Sequence, residues 1–235
     1  TLYASINQLD PNENNIMTIE EPIEYRFDDI NQTQVNAKAG ITFVGGLRSI
    51  MRHDPDVIMI GEIRDQDTAT AAIQAALTGH LLFSSIHANE AVGVLFRLMD
   101  LGIEQYLISS TLVGIVAQRM VRLVCPHCRT PHQPSVEEQM AFEEEIKQPA
   151  PPALNIGAGC NLCSHTGYLG RTGLFELLIM SEEIRGMLRG NTSAAAIRGQ
   201  AIKEGMMTMK QDGMLKVKAG LTTVSEVRRS VFSIG

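Results

Sequence analysis

The residues best suited to chemistry stand where apolar runs of the sequence stop. Residues 57–60 form an unbroken apolar run with β-branched members, which is typical of a buried strand, and Gly61 and Glu62 follow at once. A carboxylate at the carboxyl end of such a strand can hold Mg²⁺ through water or polarise a water beside a phosphate. An ordinary strand end with a solvated glutamate is the alternative, and this stretch alone does not exclude it.

Two further apolar runs end in polar side chains. Residues 16–19 lead into Glu20 and Glu21, and residues 81–86 lead into His87. Because the carboxyl ends of parallel strands meet at one edge of a sheet, these side chains should gather beside the glutamate that ends the first run. The convergence of three strand ends is a stronger indication of a site than any single residue.

Helical patterns separate the strand-like runs. Thr42 can cap a helix that ends near Arg52 and places Arg48 and Arg52 on one exposed face. Asp65 or Asp67 can cap the next helix, whose narrow stripe of small apolar residues suits close packing on a sheet. The alternation of strands and helices predicts an α/β fold built on a parallel sheet.

Two segments have patterns of their own. Residues 24–27 and 33–36 alternate in polarity and predict a hairpin. Residues 105–124 show helical periodicity and close on Arg119 and Arg122, two cations that suit the C-terminus of a helix. We therefore expect a hairpin beside the first strand and a long helix before the cysteines.

Four cysteines form two Cys-x-x-Cys pairs on either side of an acidic and proline-rich stretch. Each pair can aim two sulfurs at one tetrahedral ion, so the spacing predicts a structural zinc site. A closed shell of four thiolates leaves no open position for catalysis, while redox dithiols and free buried cysteines are the alternatives. The predicted ligands are Cys125, Cys128, Cys160 and Cys163.

After a glycine-rich stretch and an apolar run at residues 174–180, the remainder of the chain is predicted to be helical. A glycine-rich stretch at residues 167–173 is better explained as a tight connection than as a phosphate cradle, since no lysine and hydroxyl stand where a cradle needs them. Ser181 can cap the first of the helices that follow. Further helices are expected over residues 208–219 and 223–232.

Composition restricts the class of protein. A chain of 235 residues that is 44% hydrophobic can bury one sizeable core and a smaller satellite. The net charge of −6 argues against broad binding to nucleic acid, which depends on lysine and arginine. No apolar run is long enough to cross a bilayer and no secretory signal pattern is present, so a cytoplasmic protein is expected.

Four features together resemble the secretion ATPase superfamily, the motors of type II secretion and type IV pilus assembly. They are the acidic segment at residues 18–25, the segment at residues 54–69, the segment with two histidines at residues 78–90, and the paired cysteines. The resemblance covers essentially the whole chain. It implies a RecA-like P-loop NTPase core that uses ATP and Mg²⁺, with structural Zn²⁺ at the cysteines.

The resemblance implies roles for five residues at the strand ends. Glu20, Glu21 and Glu24 match the acidic box of the family, which positions the attacking water, and any one of them is a candidate for the catalytic base. Gly61 and Glu62 match the Walker B segment, which serves Mg²⁺. The acids are therefore predicted to be catalytic, and Gly61 is predicted to lie at the nucleotide.

The resemblance also implies roles for two histidines and two arginines. His80 and His87 match the histidine box, with His87 predicted to be catalytic and His80 to bind nucleotide. Arg48 and Arg52 fall in a Leu-Arg-x-x-x-Arg segment of the family, so one of them is expected to contact phosphates. Two exposed cations on a helix face are the alternative.

This sequence departs from the family pattern in two ways. Glu21 stands where the family usually has aspartate, which lengthens that side chain. The Gly-x-x-x-x-Gly-Lys-[Ser/Thr] phosphate loop, which should precede Thr1, is absent from the sequence. We therefore expect the C-terminal part of a motor protein, with a core that lacks its phosphate-loop strand, and no activity of the chain by itself.

The implied protein is a cytoplasmic motor at the inner membrane. It would hydrolyse ATP to drive assembly of a pseudopilus or pilus, as a homo-hexamer peripheral to the membrane through platform proteins and without nucleic acid. The alternative is a zinc-stapled interaction module on a degenerate nucleotide fold that hydrolyses nothing, and pilus against secretion use stays open. The predicted domains are the partial ATPase core at residues 1–122, a zinc subdomain at 123–170 and a helical subdomain at 171–235.

Overall fold

The computed structural model describes residues 1–231, and within them the chain packs as two compact units. The first unit consists of Thr1–Ala88, Val92–Val113 and Met180–Ile197, and the second unit consists of the other described residues. None of the described helices combines the length and the apolar character that crossing a bilayer requires. The three domains predicted from the sequence remain a prediction, and residues 232–235 of the last one lie outside the described residues.

Helices and strands alternate along the described chain. The strands are β1 (Ile16–Glu20), β2 (Asn31–Gln34), β3 (Val57–Ile63), β4 (Leu81–Ile86), β5 (Gly114–Val124), β6 (Arg129–His132), β7 (Leu154–Gly157) and β8 (Tyr168–Ile179). The α-helices are α1 (Leu2–Ile6), α2 (Phe43–Ile50), α3 (Gln66–Leu77), α4 (Ala91–Asp100), α5 (Gln105–Thr111), α6 (Val136–Ile146), α7 (Glu182–Arg189), α8 (Ala194–Lys203), α9 (Met209–Lys218) and α10 (Val224–Val231).

The first unit is built on a four-stranded parallel sheet with the order β2-β1-β3-β4. Residues Val57 to Ile60 of β3 are almost completely buried, as expected for a central strand of a sheet that is covered on both faces. Val57 pairs with Ile16 of β1 on one side and with Leu81 of β4 on the other. The predicted parallel α/β sheet is therefore confirmed, and its strands deliver their carboxyl ends to one edge.

Two helices of this unit begin where the sequence predicted. The Thr42 hydroxyl accepts a hydrogen bond from the Gly45 N–H at 3.1 Å and caps α2. The Asp65 carboxylate accepts one from the Thr68 N–H at 2.8 Å and caps α3, so Asp65 rather than Asp67 is the cap. Both caps lie between a strand and its following helix, which fixes where each helix starts relative to the sheet.

The predicted hairpin after β1 is wrong. Residues 24–27 form no strand, and β2 pairs with β1 in parallel. The Gln32 side chain takes over the hydrogen bonds that a second strand would have made: its Oε1 accepts from the Phe27 N–H at 2.9 Å and its Nε2 donates to the Tyr25 carbonyl at 2.9 Å. A polar side chain thus satisfies an irregular loop whose alternating pattern resembles a strand.

The predicted long helix over residues 105–124 is also wrong. Helix α5 ends at Thr111, and Gly114–Val124 is strand β5, which pairs antiparallel with β8. Gly114 suits the pairing, because a Cβ there would lie 3.1 Å from the carbonyl oxygen of Leu178. Arg119 and Arg122 therefore lie on a strand rather than at a helix end.

Strand β8 lies between the cysteines and the C-terminal helices. Tyr168–Ile179 is extended, so most of the glycine-rich stretch at residues 167–173 belongs to a strand rather than to the predicted tight connection, and the helices begin after Ser181 as predicted. The Ser181 hydroxyl accepts from the Ile184 N–H at 3.2 Å, which confirms the predicted cap of α7. The helix expected over residues 223–232 is α10 as far as Val231, and residue 232 lies outside the described residues.

In the second unit, α9 and α10 pack on one face of the β5–β8 ribbon, and α6 packs against these two helices. Its core consists of Val121, Phe142, Leu154, Leu174, Met209, Met214, Val217, Val224 and Val227. Side chains on the other face of the ribbon are about half exposed although they are apolar, namely Val116, Met120, Phe175, Leu177 and Ile179. The alternation along each strand thus divides the ribbon into a core face and an outer apolar face.

Two buried carboxylates tie this unit together. Glu176 Oε1 accepts from the Ala91 N–H at 2.9 Å and Glu176 Oε2 from the Met209 N–H at 3.4 Å, so one side chain serves the first residues of α4 and α9. Glu226, 1% exposed, binds Arg122 and Arg229 through its two oxygens. Each buried carboxylate thus has charged or backbone donors that offset its burial.

Candidate functional site

Gly61 and Glu62 lie near the carboxyl end of strand β3. The sequence predicted that the strand stops at Ile60, but it continues to Ile63, and its register against β4 shifts between Ile60 and Ile63. A Cβ on Gly61 would lie 3.3 Å from the Cα of Glu20 on the neighbouring strand, tighter than most side chains tolerate. Glycine therefore allows β3 to approach β1 closely just before Glu62.

The Glu62 carboxylate meets His87 at this edge of the sheet. Glu62 Oε2 lies 3.6 Å from His87 Nε2, and the Glu62 side chain is 16% exposed. The neighbouring Arg64 Nε donates to the same carboxylate at 2.5 Å. The structure thus brings together two residues that the sequence had predicted from separate strand ends, and it adds an arginine two residues beyond the glutamate.

The Glu20 carboxylate ends β1 and is buried. Its Oε1 accepts from the Thr18 hydroxyl at 2.6 Å and from Gln32 Nε2 at 3.1 Å, while its Oε2 accepts from the Tyr3 hydroxyl. Tyr3, on α1, was not among the residues singled out from the sequence. Burial, and then the hydrogen bond to Glu20, raise the pKa of Tyr3 above its usual value of 10.0.

The other two acids of the predicted acidic box are exposed. Glu21 and Glu24 follow Glu20 in the loop that leaves β1, with their side chains in solvent. The Glu24 N–H donates to the Tyr3 hydroxyl oxygen at 3.1 Å, so the backbone of this loop is attached to the same tyrosine as Glu20. The three acids therefore differ sharply in environment although they are close in sequence.

Of the two predicted phosphate-binding arginines, Arg48 lies on α2 and Arg52 follows the end of that helix. Arg48 forms part of the wall of a cavity of about 610 Å³ at the starts of α2 and α3. The cavity also carries Thr42, Asp65 and Asp67, and among the described residues that line it there is neither a strand-end acid nor a histidine. Arg52 is exposed one turn beyond Arg48. The structure therefore places Arg48 at a cavity and both arginines apart from the contacts of Glu20 and Glu62.

The two histidines lie at opposite ends of β4. His87 follows the carboxyl end of the strand, whereas His80 precedes the amino end. The Nδ1 atom of His80 lies 2.9 Å from the Ala75 carbonyl oxygen and 3.0 Å from the Thr78 hydroxyl. His80 therefore contacts the last turn of α3, and the structure does not bring it to the edge that carries His87.

The four cysteines converge in the second unit. Their Sγ atoms all lie within 4.8 Å of one another. The separations are 4.0 Å for Cys125 and Cys160, 3.9 Å for Cys128 and Cys163, and 3.7 Å for Cys160 and Cys163. Tetrahedral zinc with Zn–S bonds of about 2.3 Å implies sulfur separations of about 3.8 Å. The arrangement thus fits a four-thiolate zinc site.

The thiols of this cluster titrate unequally. Burial raises the pKa of Cys128 to about 12, although the Gly159 N–H donates to its Sγ at 3.3 Å. Burial also opposes ionisation of Cys163, but the Cys160 N–H at 3.2 Å and the neighbouring thiols outweigh it and lower the pKa of Cys163 to about 6. Backbone N–H groups thus favour the thiolate, which is the form that binds metal.

Glycines allow the backbone around the cysteines to pack closely. A Cβ on Gly157 would lie 2.0 Å from the Gly167 carbonyl oxygen, and Gly167 has a φ of +77°. The Gly167 carbonyl in turn accepts from the Cys125 N–H at 2.9 Å. The first glycine of the stretch at residues 167–173 thus serves the cysteine cluster, which the sequence pattern alone did not indicate.

The fold of the chain resembles that of ATPases that have been solved. The chain superposes on the Legionella pneumophila ATPase DotB with a TM-score of 0.67 at 21% identity, covering 97% of this chain and 55% of that one. It superposes on the pilus retraction motor PilT with bound ADP with a TM-score of 0.64 at 27% identity, covering 92% and 52%. These likenesses define the fold class.

The chain belongs to the Type II/IV secretion system protein family, whose sequence profile matches residues 1–229. It is 45% identical over 229 residues to the type II secretion system ATPase E of Vibrio cholerae, covering 97% of this chain and 45% of that protein. It is 42% identical over 229 residues to the type IV pilus assembly ATPase PilB of Thermus thermophilus, covering 97% and 26%. The chain therefore spans less than half the length of these relatives.

Proposed function

We propose that this chain is part of a motor ATPase that hydrolyses ATP to drive assembly of a pseudopilus or pilus. The observation that carries the proposal is the meeting of Glu62 and His87 at the carboxyl edge of the sheet. The family membership of the chain and its sequence identity to ATPases of type II secretion and pilus assembly support the proposal. Pilus and secretion use are both compatible with these relatives.

The proposed site divides the work between strand ends. Glu62 is the residue that would hold Mg²⁺, since an acid at a strand end is a ligand that Mg²⁺ accepts, and the ion would neutralise charge on the phosphates. Glu20, Glu21 and Glu24 are proposed to position the attacking water. His80, Arg48 and Arg52 are proposed nucleotide contacts, which requires them to reach phosphates that lie away from their present partners.

The cysteine cluster is proposed to hold one structural Zn²⁺. Cys125, Cys128, Cys160 and Cys163 have sulfur separations that match a tetrahedral site and leave no position open for substrate. Its role would then be to stabilise the fold of the second unit rather than to take part in hydrolysis. Catalysis and metal-dependent folding are therefore assigned to different parts of the chain.

The assembly is proposed from the resemblance to the family. We propose a homo-hexamer in the cytoplasm, held at the inner membrane by platform proteins and without a nucleic-acid partner.

The sequence of 235 residues contains no Gly-x-x-x-x-Gly-Lys-[Ser/Thr] loop, whose amides and lysine bind phosphates. We therefore propose that this chain alone is inactive, because its acids would face an anionic nucleotide with little to offset the repulsion.

The test is Glu62→Gln in a full-length protein that carries this chain. We expect ATP binding to persist and turnover to fall on the order of a hundredfold, because the variant loses a charge that acts on metal or water. Glu104→Gln is the matched control, since Glu104 is exposed before α5 and lies on no strand end. Steady-state ATPase kinetics and nucleotide binding are the measurements.

Near-normal hydrolysis by Glu62→Gln at saturating Mg²⁺ would contradict the assignment of Glu62. A wild-type protein that binds its membrane partner but never hydrolyses ATP would support the alternative, a zinc-stapled interaction module. The two outcomes are distinct, because the first concerns one residue and the second concerns the activity of the whole protein.

A further inference from the structure

The Glu20 carboxylate is held by three donors. It is 3% exposed, and a buried carboxylate is stable only when its oxygens are hydrogen-bonded. Thr18 and Gln32 both donate to Oε1. Among the described residues only the Tyr3 hydroxyl donates to Oε2, so this one phenol determines how the second oxygen of the carboxylate is oriented.

The Tyr3 hydroxyl makes a second contact in the same acidic segment. Its oxygen accepts from the Glu24 N–H at 3.1 Å while its proton is donated to Glu20. One side chain therefore joins the end of β1 to the loop four residues later. The exposed Glu21 lies between these two attachment points, so its path depends on both.

The ring of Tyr3 is held in place by packing as well as by the hydrogen bonds of its hydroxyl. It packs against the buried cluster that contains Ile6 and Ile16, and its centroid lies 5.6 Å from the ring of Tyr25 in an edge-to-face contact. The Phe27 ring lies at the same distance of 5.6 Å on a tilted plane. A ring held on several sides presents its hydroxyl in one place, which is what a positioning group needs.

We propose that Tyr3 is a positioning residue for ATP hydrolysis, which orients the Glu20 carboxylate and sets the path of residues 21–24. This role rests on the proposed ATPase function, in which the acids of this segment position the attacking water. Positioning matters because a displacement of about 1 Å at a reacting group can cost a hundredfold in rate. Tyr3 itself touches neither substrate nor metal in this role.

The raised pKa of Tyr3 favours the protonated hydroxyl, which is the form that donates a hydrogen bond. Its pKa lies above 10.0, first because it is buried and then because it donates to Glu20. The phenol of Tyr3 therefore keeps its proton at neutral pH. A hydroxyl that stays neutral can donate to one carboxylate and accept from one amide at the same time.

The test is Tyr3→Phe in a full-length protein that carries this chain. The variant keeps the ring and its packing and removes only the hydroxyl, so we expect it to fold. We expect kcat to fall about tenfold while the KM for ATP stays within about twofold, since an interaction used only in the reaction is lost. Tyr25→Phe is the matched control, because Tyr25 contacts the Tyr3 ring and is 70% exposed; its kinetics should not change.

A second measurement does not depend on hydrolysis. Hydrogen exchange of a peptide spanning residues 21–27 should be several-fold faster in Tyr3→Phe, because the Glu24 N–H loses its acceptor, and should be unchanged in Tyr25→Phe. Thr18→Val removes another donor to the same carboxylate and keeps the side-chain shape. We expect it to lower kcat by about threefold with the KM for ATP unchanged, which gives a second variant should Tyr3→Phe fold poorly.

The outcomes separate this inference from the proposed function. Active wild-type protein with wild-type kcat in both Tyr3→Phe and Thr18→Val would overturn the role of Tyr3 and leave the ATPase intact. Unchanged exchange of residues 21–27 in Tyr3→Phe would overturn the attachment of the loop. A wild-type protein without hydrolysis would overturn the proposed function, and the reaction role of Tyr3 with it.

Discussion

The two units of the chain differ in where their polar groups lie and in the partners that those groups have. In the first unit, a central strand of apolar residues is buried and the polar groups stand at the strand ends, where Glu62 and His87 meet. In the second unit, the acids Glu176 and Glu226 and the thiol of Cys125 are buried within the structure itself. Buried polar groups are stable only with their partners, so the second unit should depend on pH and metal where the first depends on packing.

The buried acids show how this dependence arises. Burial opposes ionisation of Glu226, but hydrogen bonds from Arg229 and Arg122 outweigh it and hold the pKa of Glu226 far below its usual 4.5. Glu20, the buried acid of the first unit, is bound by neutral hydroxyl and amide donors instead. The second unit thus uses charged partners where the first uses neutral ones.

The largest expected effect is loss of one of the proposed zinc ligands in the second unit. Cys160→Ser should abolish stoichiometric zinc binding and cost on the order of 10 kcal/mol of folding free energy of this unit, by analogy with zinc-finger sites. His127→Ala is the control, since His127 is exposed between two cysteines and is expected to be a neighbour rather than a ligand. Elemental analysis and thermal unfolding are the measurements.

If purified, chelator-free protein contained no zinc, the second unit would not depend on a metal, and this difference between the two units would disappear. Unchanged thermal stability of Cys160→Ser would have the same consequence. The second unit would then be stabilised by its ribbon, its apolar core and its buried acids alone.

A smaller effect is expected when a buried acid is neutralised. Glu226→Gln should destabilise the protein by about 3 kcal/mol, because two arginines lose their buried charged partner. Since the folded pKa of Glu226 is depressed, its contribution is complete above about pH 4.5 and is lost as the pH falls towards the folded pKa. Wild-type stability should therefore fall more steeply below pH 4.5 than that of Glu226→Gln, as measured by chemical denaturation at several pH values.

Truncation of a buried apolar side chain in the first unit provides a comparison for Glu226→Gln. Ile58→Ala removes a fully buried side chain of β3 and should cost about 3 kcal/mol, similar to Glu226→Gln. Its loss should be the same at pH 7 and at pH 4, because no titrating group is removed. Equal acid sensitivity of both variants would break the distinction between packing and charged partners.

The smallest expected effect concerns a helix cap in the first unit. Thr42→Ala removes the acceptor of the Gly45 N–H at the start of α2 and should cost about 1 kcal/mol. Thr70→Ala, at an exposed position within α3, is the control and should be nearly neutral. Denaturant midpoints of both variants test this, and an equal loss in the two would show that the cap is not what stabilises α2.

Much of the first unit could be predicted because its signals are local. The runs that became β1, β3 and β4 are short and apolar, and Thr42 and Asp65 cap helices next to them in sequence. The β5–β8 ribbon was missed because Gly114 pairs with Ile179 across the intervening chain, and pairing over such a distance leaves no local pattern. Apolar spacing within β5 then resembled a helix.

The candidate site was predicted in part for the same reason. Glu62 and His87 follow directly from the ends of parallel strands. Tyr3 was missed because its contact with Glu20 depends on how α1 packs on the sheet. His80 could have been separated from His87 by sequence alone, because a residue that precedes a parallel strand lies at the amino end, away from the acidic edge.

The β5–β8 ribbon has a consequence for the order of folding. Its pairs run from Gly114 with Ile179 to Val124 with Tyr168, and the second pair lies directly beside Cys125. Closing a long loop costs conformational entropy before any contact repays it, and slow, non-local pairing follows from that cost. Once the cysteines have gathered, the loop is already closed at the Val124 end, and the strands can pair progressively outward. We expect the pairing of β5 with β8 to begin beside the cysteine cluster and to proceed from there towards Gly114 and Ile179.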